Sequence, residues 1–133
     1  MRFAAIADTH ALIWFLWGDP RMSRVAGAIF DDAAATGLLV GVSSISFVEI
    51  VYLIEKRRID PRTLSKAYDI LDLGDVLEEV EVDRDIVPAL AMIPRDAVPD
   101  MPDRIIAATA AYLGVPLISR DRKIQASSVT TIW

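Results

Sequence analysis

Met101-Pro-Asp-Arg-Ile-Ile-Ala-Ala-Thr-Ala-Ala-Tyr-Leu-Gly114 is the stretch of this sequence that most constrains the fold. It predicts one helix, because Asp100 suits the N-cap and Gly114 suits the position just after the last turn. The body of the helix is apolar and rich in alanine, which favours close packing against a sheet. Asp103 lies in its first turn, and the strand predicted next along the chain is followed by Asp121. The stretch therefore predicts two carboxylates at one edge of an α/β sheet.

Strands and helices alternate along the whole chain, which predicts a central, mainly parallel sheet of four to five strands flanked by helices. We expect one α/β domain covering residues 1–133, since 133 residues suit a single domain. The predicted strands are residues 3–7, 38–42, 77–82, 115–119 and 129–133. The predicted helices are residues 11–17, 23–37, 47–58, 61–74, 85–93 and 102–113, with a turn or short helix at 122–126.

The composition excludes several classes of protein. A net charge of −5 argues against broad, non-specific nucleic-acid binding, although a nucleic-acid substrate held through a bound cation stays possible. The chain has no cysteine and a single histidine, His10, so thiolate and histidine-rich metal sites are excluded. The longest apolar run, Ala11–Trp17, is too short to span a bilayer. With no secretory pattern at the N-terminus, we expect a cytoplasmic protein.

Four acids fall where the carboxyl edge of the predicted sheet should lie, which is where open α/β sheets bind ligands. Asp8 follows the first strand and Asp121 follows the fourth, while Glu49 and Asp103 are predicted in the first turns of helices. Clustered carboxylates repel one another, and a hard cation relieves the repulsion. Oxygen ligands select Mg²⁺ or Mn²⁺, and such an ion can activate a water against a phosphodiester. The pattern predicts a magnesium site at this edge.

Each acid also has a purely structural interpretation. Ser46-Phe-Val-Glu49 matches the capping box S-x-x-E, in which the glutamate only completes a helix cap. Asp103 can act as a favourable anion in a first turn. Asp8 and Asp121 can be ordinary loop residues. The placement of all four on one edge favours the functional interpretation.

Four motifs in order give the chain a family resemblance. They are Ile6-Ala-Asp-Thr-His-Ala-Leu12, Ser46-x-x-Glu-Ile50, Pro102-Asp-Arg-Ile-Ile-Ala-Ala-Thr-Ala110 and Leu117-Ile-Ser-Arg-Asp-x-Lys-Ile124. Together they resemble a PIN-domain ribonuclease, and more narrowly the VapC-type toxins of bacterial type II toxin–antitoxin systems. The resemblance covers nearly the whole chain. It implies Mg²⁺-dependent endonucleolytic cleavage of RNA, a homodimer, and neutralisation by a cognate antitoxin protein. It also implies a catalytic and metal-binding site made of Asp8, Glu49, Asp103 and Asp121.

Polar and basic residues beside these motifs are candidate substrate-binding groups. The hydroxyls of Thr9 and Ser119 can orient a water or a phosphate, or they can cap helices and turns. Arg104 and Arg120 can hold RNA phosphates, or they can form a solvated face. His10 lies two residues after Asp8, but water activated by a metal needs no histidine, so we assign it no catalytic role.

Two further questions stay open at the level of sequence. The apolar helix containing Trp14 and Trp17 can be core, or it can be a dimer or antitoxin surface. The alternatives to a nuclease are a receiver-like phosphoacceptor domain and a non-catalytic PIN-like binding module. A receiver is disfavoured because Lys123 follows Asp121 too closely and the first strand supplies only one acid.

Overall fold

A five-stranded parallel sheet lies at the centre of the computed structural model, which describes residues 2–133. The strands lie in the order β3-β2-β1-β4-β5, and every neighbouring pair is parallel. The fold predicted from the sequence is therefore confirmed. The strands are β1 (Phe3–Ala7), β2 (Leu39–Ser43), β3 (Leu77–Val80), β4 (Leu117–Ile118) and β5 (Thr131–Ile132).

Helices cover both faces of this sheet. Along the described chain they are α1 (Thr9–Trp17), α2 (Arg24–Thr36), α3 (Ser44–Glu55), α4 (Thr63–Leu73), α5 (Ile86–Ala89), α6 (Met101–Leu113) and α7 (Arg122–Gln125), with a 3₁₀ turn at Leu90–Met92. Their ends follow local capping chemistry. Ser23 accepts a hydrogen bond from the Ala26 N–H at the start of α2, and Gly114 ends α6 with a positive φ of 67°. None of the helices in residues 2–133 is long and apolar enough to cross a membrane.

The core has two layers because the strand side chains alternate between the sheet faces. Ala5 and Ala7 of β1 face a cluster that includes the buried sides of α1, α2 and α3. Ile6, between them, faces the cluster formed with α6. Ala107, Ala108 and Ala110 of α6 are fully buried there, together with Ile106. This confirms that the alanine-rich helix packs closely against the sheet.

The order of the strands locates the expected ligand-binding edge of the sheet and excludes the receiver-like alternative. The chain goes from β1 to one side of the sheet, through β2 and β3, and returns to the other side at β4. Ligands in such sheets bind at the crevice where the strand order reverses, here between the carboxyl ends of β1 and β4. Receiver domains have the order 2-1-3-4-5. The receiver-like alternative was therefore wrong, because β1 lies between β2 and β4 here.

Several predicted boundaries are corrected by the structure. The first helix begins at Thr9 and not at residue 11, since Asp8 caps it. The third begins at Ser44 and not at residue 47. The fourth begins at Thr63, two residues after Pro61, because residues 60–62 form a hydrogen-bonded turn. The segment predicted as one helix at 85–93 is a short helix followed by the 3₁₀ turn.

Candidate functional site

Two of the predicted acids are fixed by backbone N–H groups at the carboxyl edge of the sheet. Asp8 directly follows β1, and its carboxylate accepts a hydrogen bond of 2.8 Å from the Ala11 N–H as the N-cap of α1. Asp121, after β4, caps α7 and accepts bonds from the N–H groups of Lys123 at 2.8 Å and Ile124 at 3.2 Å. β1 and β4 are neighbours, so the topology brings these two acids to the same crevice.

Glu49 reaches the crevice from the second turn of α3 and not from the first. The capping-box interpretation was wrong, because the N-cap of α3 is Ser43, whose hydroxyl accepts from the Ile45 N–H at 3.3 Å. Ser46 is instead fully buried, with its Oγ 3.0 Å from the Thr9 Oγ1. The Thr9 hydroxyl donates a 2.5 Å hydrogen bond to Glu49 Oε1. Thr9 therefore holds Glu49 in place, which links α1 to α3.

Asp103 and Asp100 enter the crevice from the start of α6. The Asp100 carboxylate accepts the Asp103 N–H at 3.1 Å, which confirms Asp100 as the N-cap. Asp103 lies in the first turn, as predicted. Its structural and functional interpretations are compatible, because the same first-turn position also places Asp103 at the cavity.

All four predicted acids and Asp100 line one open cavity of about 470 Å³. The fold therefore gathers every member of the predicted acidic set at the sheet edge. The remaining wall is polar, basic and aromatic, and it contains Thr9, His10, Trp14, Arg21 and Arg120. The lining of the cavity thus combines carboxylates with cationic side chains.

The cavity raises the pKa values of three of its carboxyl groups. Burial raises the pKa of Asp8, and the charge of Asp121 raises it further, while hydrogen bonds from Ser119 and Ala11 oppose the rise. Burial also raises the pKa of Glu49, against the hydrogen bond from Thr9.

The effect is largest at Asp103. Burial, followed by the charges of the other four acids of the cavity, raises the pKa of Asp103 to about 7. Burial is the largest cause and each neighbouring carboxylate adds to it, so the cavity disfavours a further negative charge at Asp103.

The donor set fits a hard divalent cation. All five acids offer oxygen ligands, which suit Mg²⁺ or Mn²⁺, and a cation would reverse the repulsion that raises the pKa of Asp103. Within residues 2–133, no three acidic or histidine side chains are grouped closely enough to form a ready-made set of direct ligands. Mg²⁺ keeps several waters and takes only one or two carboxylates directly. The separation of the acids is therefore compatible with an ion held partly through water.

The predicted substrate-binding residues divide into two groups. Thr9 and Arg120 line the cavity. The Arg104 guanidinium instead donates to the backbone carbonyls of Ile93 at 2.9 Å and Leu90 at 3.0 Å, which ties α6 to the 3₁₀ turn and argues against phosphate binding. Ser119 is fully buried and its hydroxyl accepts from the Asp121 N–H at 3.1 Å, which supports the turn-capping interpretation.

Arg21 is a cavity residue that sequence reasoning missed. It lies between α1 and α2, and its guanidinium carbon is 4.9 Å from the centre of the Trp14 ring. The local signal was Asp19-Pro20-Arg21, a turn in which the aspartate can hold the arginine. Trp14 itself is 7% exposed and most residues of α1 are buried, which supports the core interpretation for this part of the helix, whereas Trp17 is exposed.

Comparisons with known proteins agree with this geometry. A family model described as "PIN domain" matches residues 5–128. Ribonuclease VapC22 of Mycobacterium tuberculosis is 24% identical over 131 residues, which span 96% of this chain and 97% of that protein. Among solved structures, VapBC2 from Rickettsia felis, bound to a promoter DNA fragment, has a chain with a TM-score of 0.71, 14% identity and 96% coverage of both chains. A toxin–antitoxin complex from Klebsiella pneumoniae gives a TM-score of 0.63 at 23% identity, covering 97% of this chain and 96% of the other. These two structures share the fold.

Proposed function

The chain belongs to the PIN domain family, and from this premise we propose that it is a Mg²⁺-dependent endoribonuclease, active in the cytoplasm as the toxin of a toxin–antitoxin pair. The observation that carries the proposal is the gathering of Asp8, Glu49, Asp100, Asp103 and Asp121 around one open cavity. The name of the relative VapC22 supports ribonuclease activity. Residues 1–133 would form a single nuclease domain.

The residues proposed to hold the ion are Asp8, Glu49, Asp103 and Asp121, directly or through water. Bound Mg²⁺ supplies Lewis-acid activation of a water and neutralises charge on the phosphodiester, and Mn²⁺ can substitute for it. The chain itself holds several of these carboxylates in fixed positions. Backbone N–H groups hold Asp8 and Asp121, and the Thr9 hydroxyl holds Glu49. Such groups need little rearrangement when a substrate binds, which favours catalysis.

Cleavage of RNA by the purified protein tests this proposal. Structured RNAs are incubated with Mg²⁺, with Mn²⁺ or with a chelator, and the products are mapped. We expect cleavage with either ion and none with the chelator. Asp8→Asn should keep its helix cap, since asparagine caps as well as aspartate, but should cleave at least about 10- to 100-fold more slowly. Asp31→Asn, at an exposed position of α2, is the matched control. Cleavage that survives both the chelator and Asp8→Asn would refute the assignment.

Partner binding is proposed at an apolar patch that adjoins the acidic cavity, since Glu49 lines both. Val48 and Tyr52 of α3 and Met101 at the start of α6 are 49%, 59% and 63% exposed, and they border an apolar cavity of about 340 Å³. An exposed apolar patch of this kind is typical of a protein–protein surface. We propose that a second copy of the chain covers it and that a cognate antitoxin binds the resulting dimer, as the complexes with the same fold suggest.

The oligomeric state tests this surface. Tyr52→Glu places a charge in the patch, so the mass measured by light scattering should fall from dimer to monomer. Tyr112→Glu, at another half-exposed tyrosine, should leave the mass unchanged. A wild-type monomer would refute the dimer. Co-purification with the product of a small adjacent gene would then test the antitoxin separately.

A further inference from the structure

Two Asp-Pro-Arg turns in this chain have the same hydrogen-bonded structure. They are Asp19-Pro20-Arg21 and Asp60-Pro61-Arg62. In each turn the aspartate Oδ1 accepts the arginine backbone N–H at 2.8 Å and the Nε–H at 3.0 Å. The aspartate Oδ2 accepts a second guanidinium N–H, at 2.8 Å in the first turn and 2.7 Å in the second. Each turn therefore holds an exposed guanidinium in one orientation and leaves its other N–H groups available.

Both guanidiniums lie over tryptophans of α1. The Arg21 Cζ is 4.9 Å from the centre of the Trp14 ring, and the Arg62 Cζ is 5.4 Å from that of Trp17. Trp14 and Trp17 are three residues apart, so they are neighbours on one side of the helix. The two turns come from distant parts of the sequence, and α1 brings their arginines into a row.

Each tryptophan also contacts a second cation. The Arg120 Cζ lies 5.1 Å from the Trp14 ring centre, and the Lys66 Nζ lies 4.8 Å from that of Trp17. The ion pairs found between residues 2 and 133 involve neither Arg120 nor Lys66. Each tryptophan thus contacts one cation that is paired with an aspartate and one that takes part in none of these ion pairs. Four cationic side chains therefore lie against two neighbouring tryptophans in a chain whose net charge is −5.

The row begins inside the acidic cavity and continues outside it. Trp14, Arg21 and Arg120 line the cavity, whereas Trp17, Arg62 and Lys66 lie beyond its lining. We infer that α1 carries two successive phosphate-binding positions, so that an RNA strand runs from the acidic cavity along the helix. Arg21 and Arg120 form the first position, and Arg62 and Lys66 form the second. This inference rests on the proposed ribonuclease function.

The chemistry of the four side chains suits a polynucleotide backbone. Arginine and lysine make charge-assisted hydrogen bonds to phosphate, and a guanidinium held in advance loses less entropy on binding than a free one. Phosphate contacts of this kind position a strand without reading its sequence. The alternative is that the cation–aromatic contacts only fasten the two turns to α1, in which case they would affect folding but not RNA binding.

The salt dependence of RNA binding separates these interpretations. The probe is a labelled single-stranded RNA, and its affinity for the full-length protein is measured by anisotropy in chelator over a range of salt concentrations. For a single strand, log K falls with log salt, and each lost phosphate contact should make this negative slope shallower by about 0.7. We expect this loss for Lys66→Gln and for Arg62→Gln, with a several-fold weaker affinity at low salt. Arg84→Gln removes an exposed charge elsewhere and should change neither quantity.

The outcomes distinguish the inference from the proposed function. Unchanged slopes for Lys66→Gln and Arg62→Gln would overturn the inference, even if the protein cleaves RNA with Mg²⁺. A reduced slope supports the binding surface, and it does so even if no RNA is cleaved and the nuclease proposal fails. Lys66→Gln should melt at the wild-type temperature. A lower melting temperature with an unchanged slope is the result expected of a purely structural contact, and it also overturns the inference.

Discussion

Asp103→Asn should stabilise this protein in the absence of divalent cations, although it removes a proposed metal ligand. Burial and four neighbouring carboxylates raise the pKa of Asp103 from 3.8 to about 7. At about 1.36 kcal/mol per pKa unit, that difference corresponds to about 4 kcal/mol of unfavourable free energy when the group is ionised. The side chain is only partly buried, so screening by water reduces the expected cost to about 1–2 kcal/mol.

The pH dependence of this cost has a defined sign. Between the unfolded and folded pKa values, the folded protein retains a proton that the unfolded chain has lost. The free energy of unfolding should therefore decrease as the pH rises from about 4 to about 7, and the full cost should be present above that range. Asparagine carries no charge at any pH, so the variant should lack this part of the decrease.

Thermal unfolding in chelator measures the effect. At about pH 8, Asp103→Asn should melt about 3–8 °C above wild type, while near pH 4 the two should melt together. Adding Mg²⁺ should raise the melting temperature of wild type more than that of the variant, because the ion binds the folded state through this carboxylate. Asp31→Asn serves as the control, since it removes an exposed charge on α2. A variant that is less stable than wild type at every pH would refute the electrostatic argument.

Two other substitutions test how the site is supported. Gly41→Ala should destabilise the protein by about 1–3 kcal/mol in chemical denaturation, because the new Cβ would lie 2.5 Å from Ile6 Cδ1 in the middle of the sheet. The matched change Gly27→Ala, on α2, has its nearest contact at 3.6 Å and should be neutral or slightly stabilising; equal losses at both positions would contradict the packing argument. Thr9→Val should cost about 1–3 kcal/mol and slow RNA cleavage, since it removes the donor that holds Glu49. Cleavage and stability that are both unchanged in Thr9→Val would show that this hydrogen bond is dispensable.

Local chemistry explains which parts of the fold could be predicted from the sequence. The caps Ser23, Asp100 and Gly114 act within one turn of chain, so the ends of α2 and α6 could be assigned before the structure was known. The four acids could be placed on one edge because parallel strands share a carboxyl end. The start of α3 could not be fixed in this way. Several serines precede the apolar run, and Ser43 and Ser46 are both fully buried. Only the structure shows that Ser43 caps the helix while Ser46 contacts Thr9, a residue distant in the sequence.

Arg104 and Arg21 also show that roles set by tertiary contacts could not be predicted from the sequence. Both are arginines beside an acid-containing motif, and only their tertiary contacts separate them. Arg104 donates to carbonyls of the preceding turn, whereas Arg21 lies over Trp14 in the cavity. Their sequence neighbours do not reveal this difference, because it is set by how α6 and α1 pack on the sheet.

The structural and functional interpretations of the acids are best separated at Asp103, for a reason visible in the hydrogen bonds. The carboxylates of Asp8, Asp100 and Asp121 accept backbone N–H groups as helix caps, so neutralising one of them also replaces a charged capping acceptor with a neutral one. In the described chain no such bond to the Asp103 carboxylate is found; its own backbone N–H donates to Asp100. If Asp103 served only the helix, its neutralisation would remove a favourable first-turn anion and lower stability by about 0.3–1 kcal/mol. If it belongs to a repelling cluster, neutralisation raises stability. The sign of one measured change therefore decides between the two interpretations.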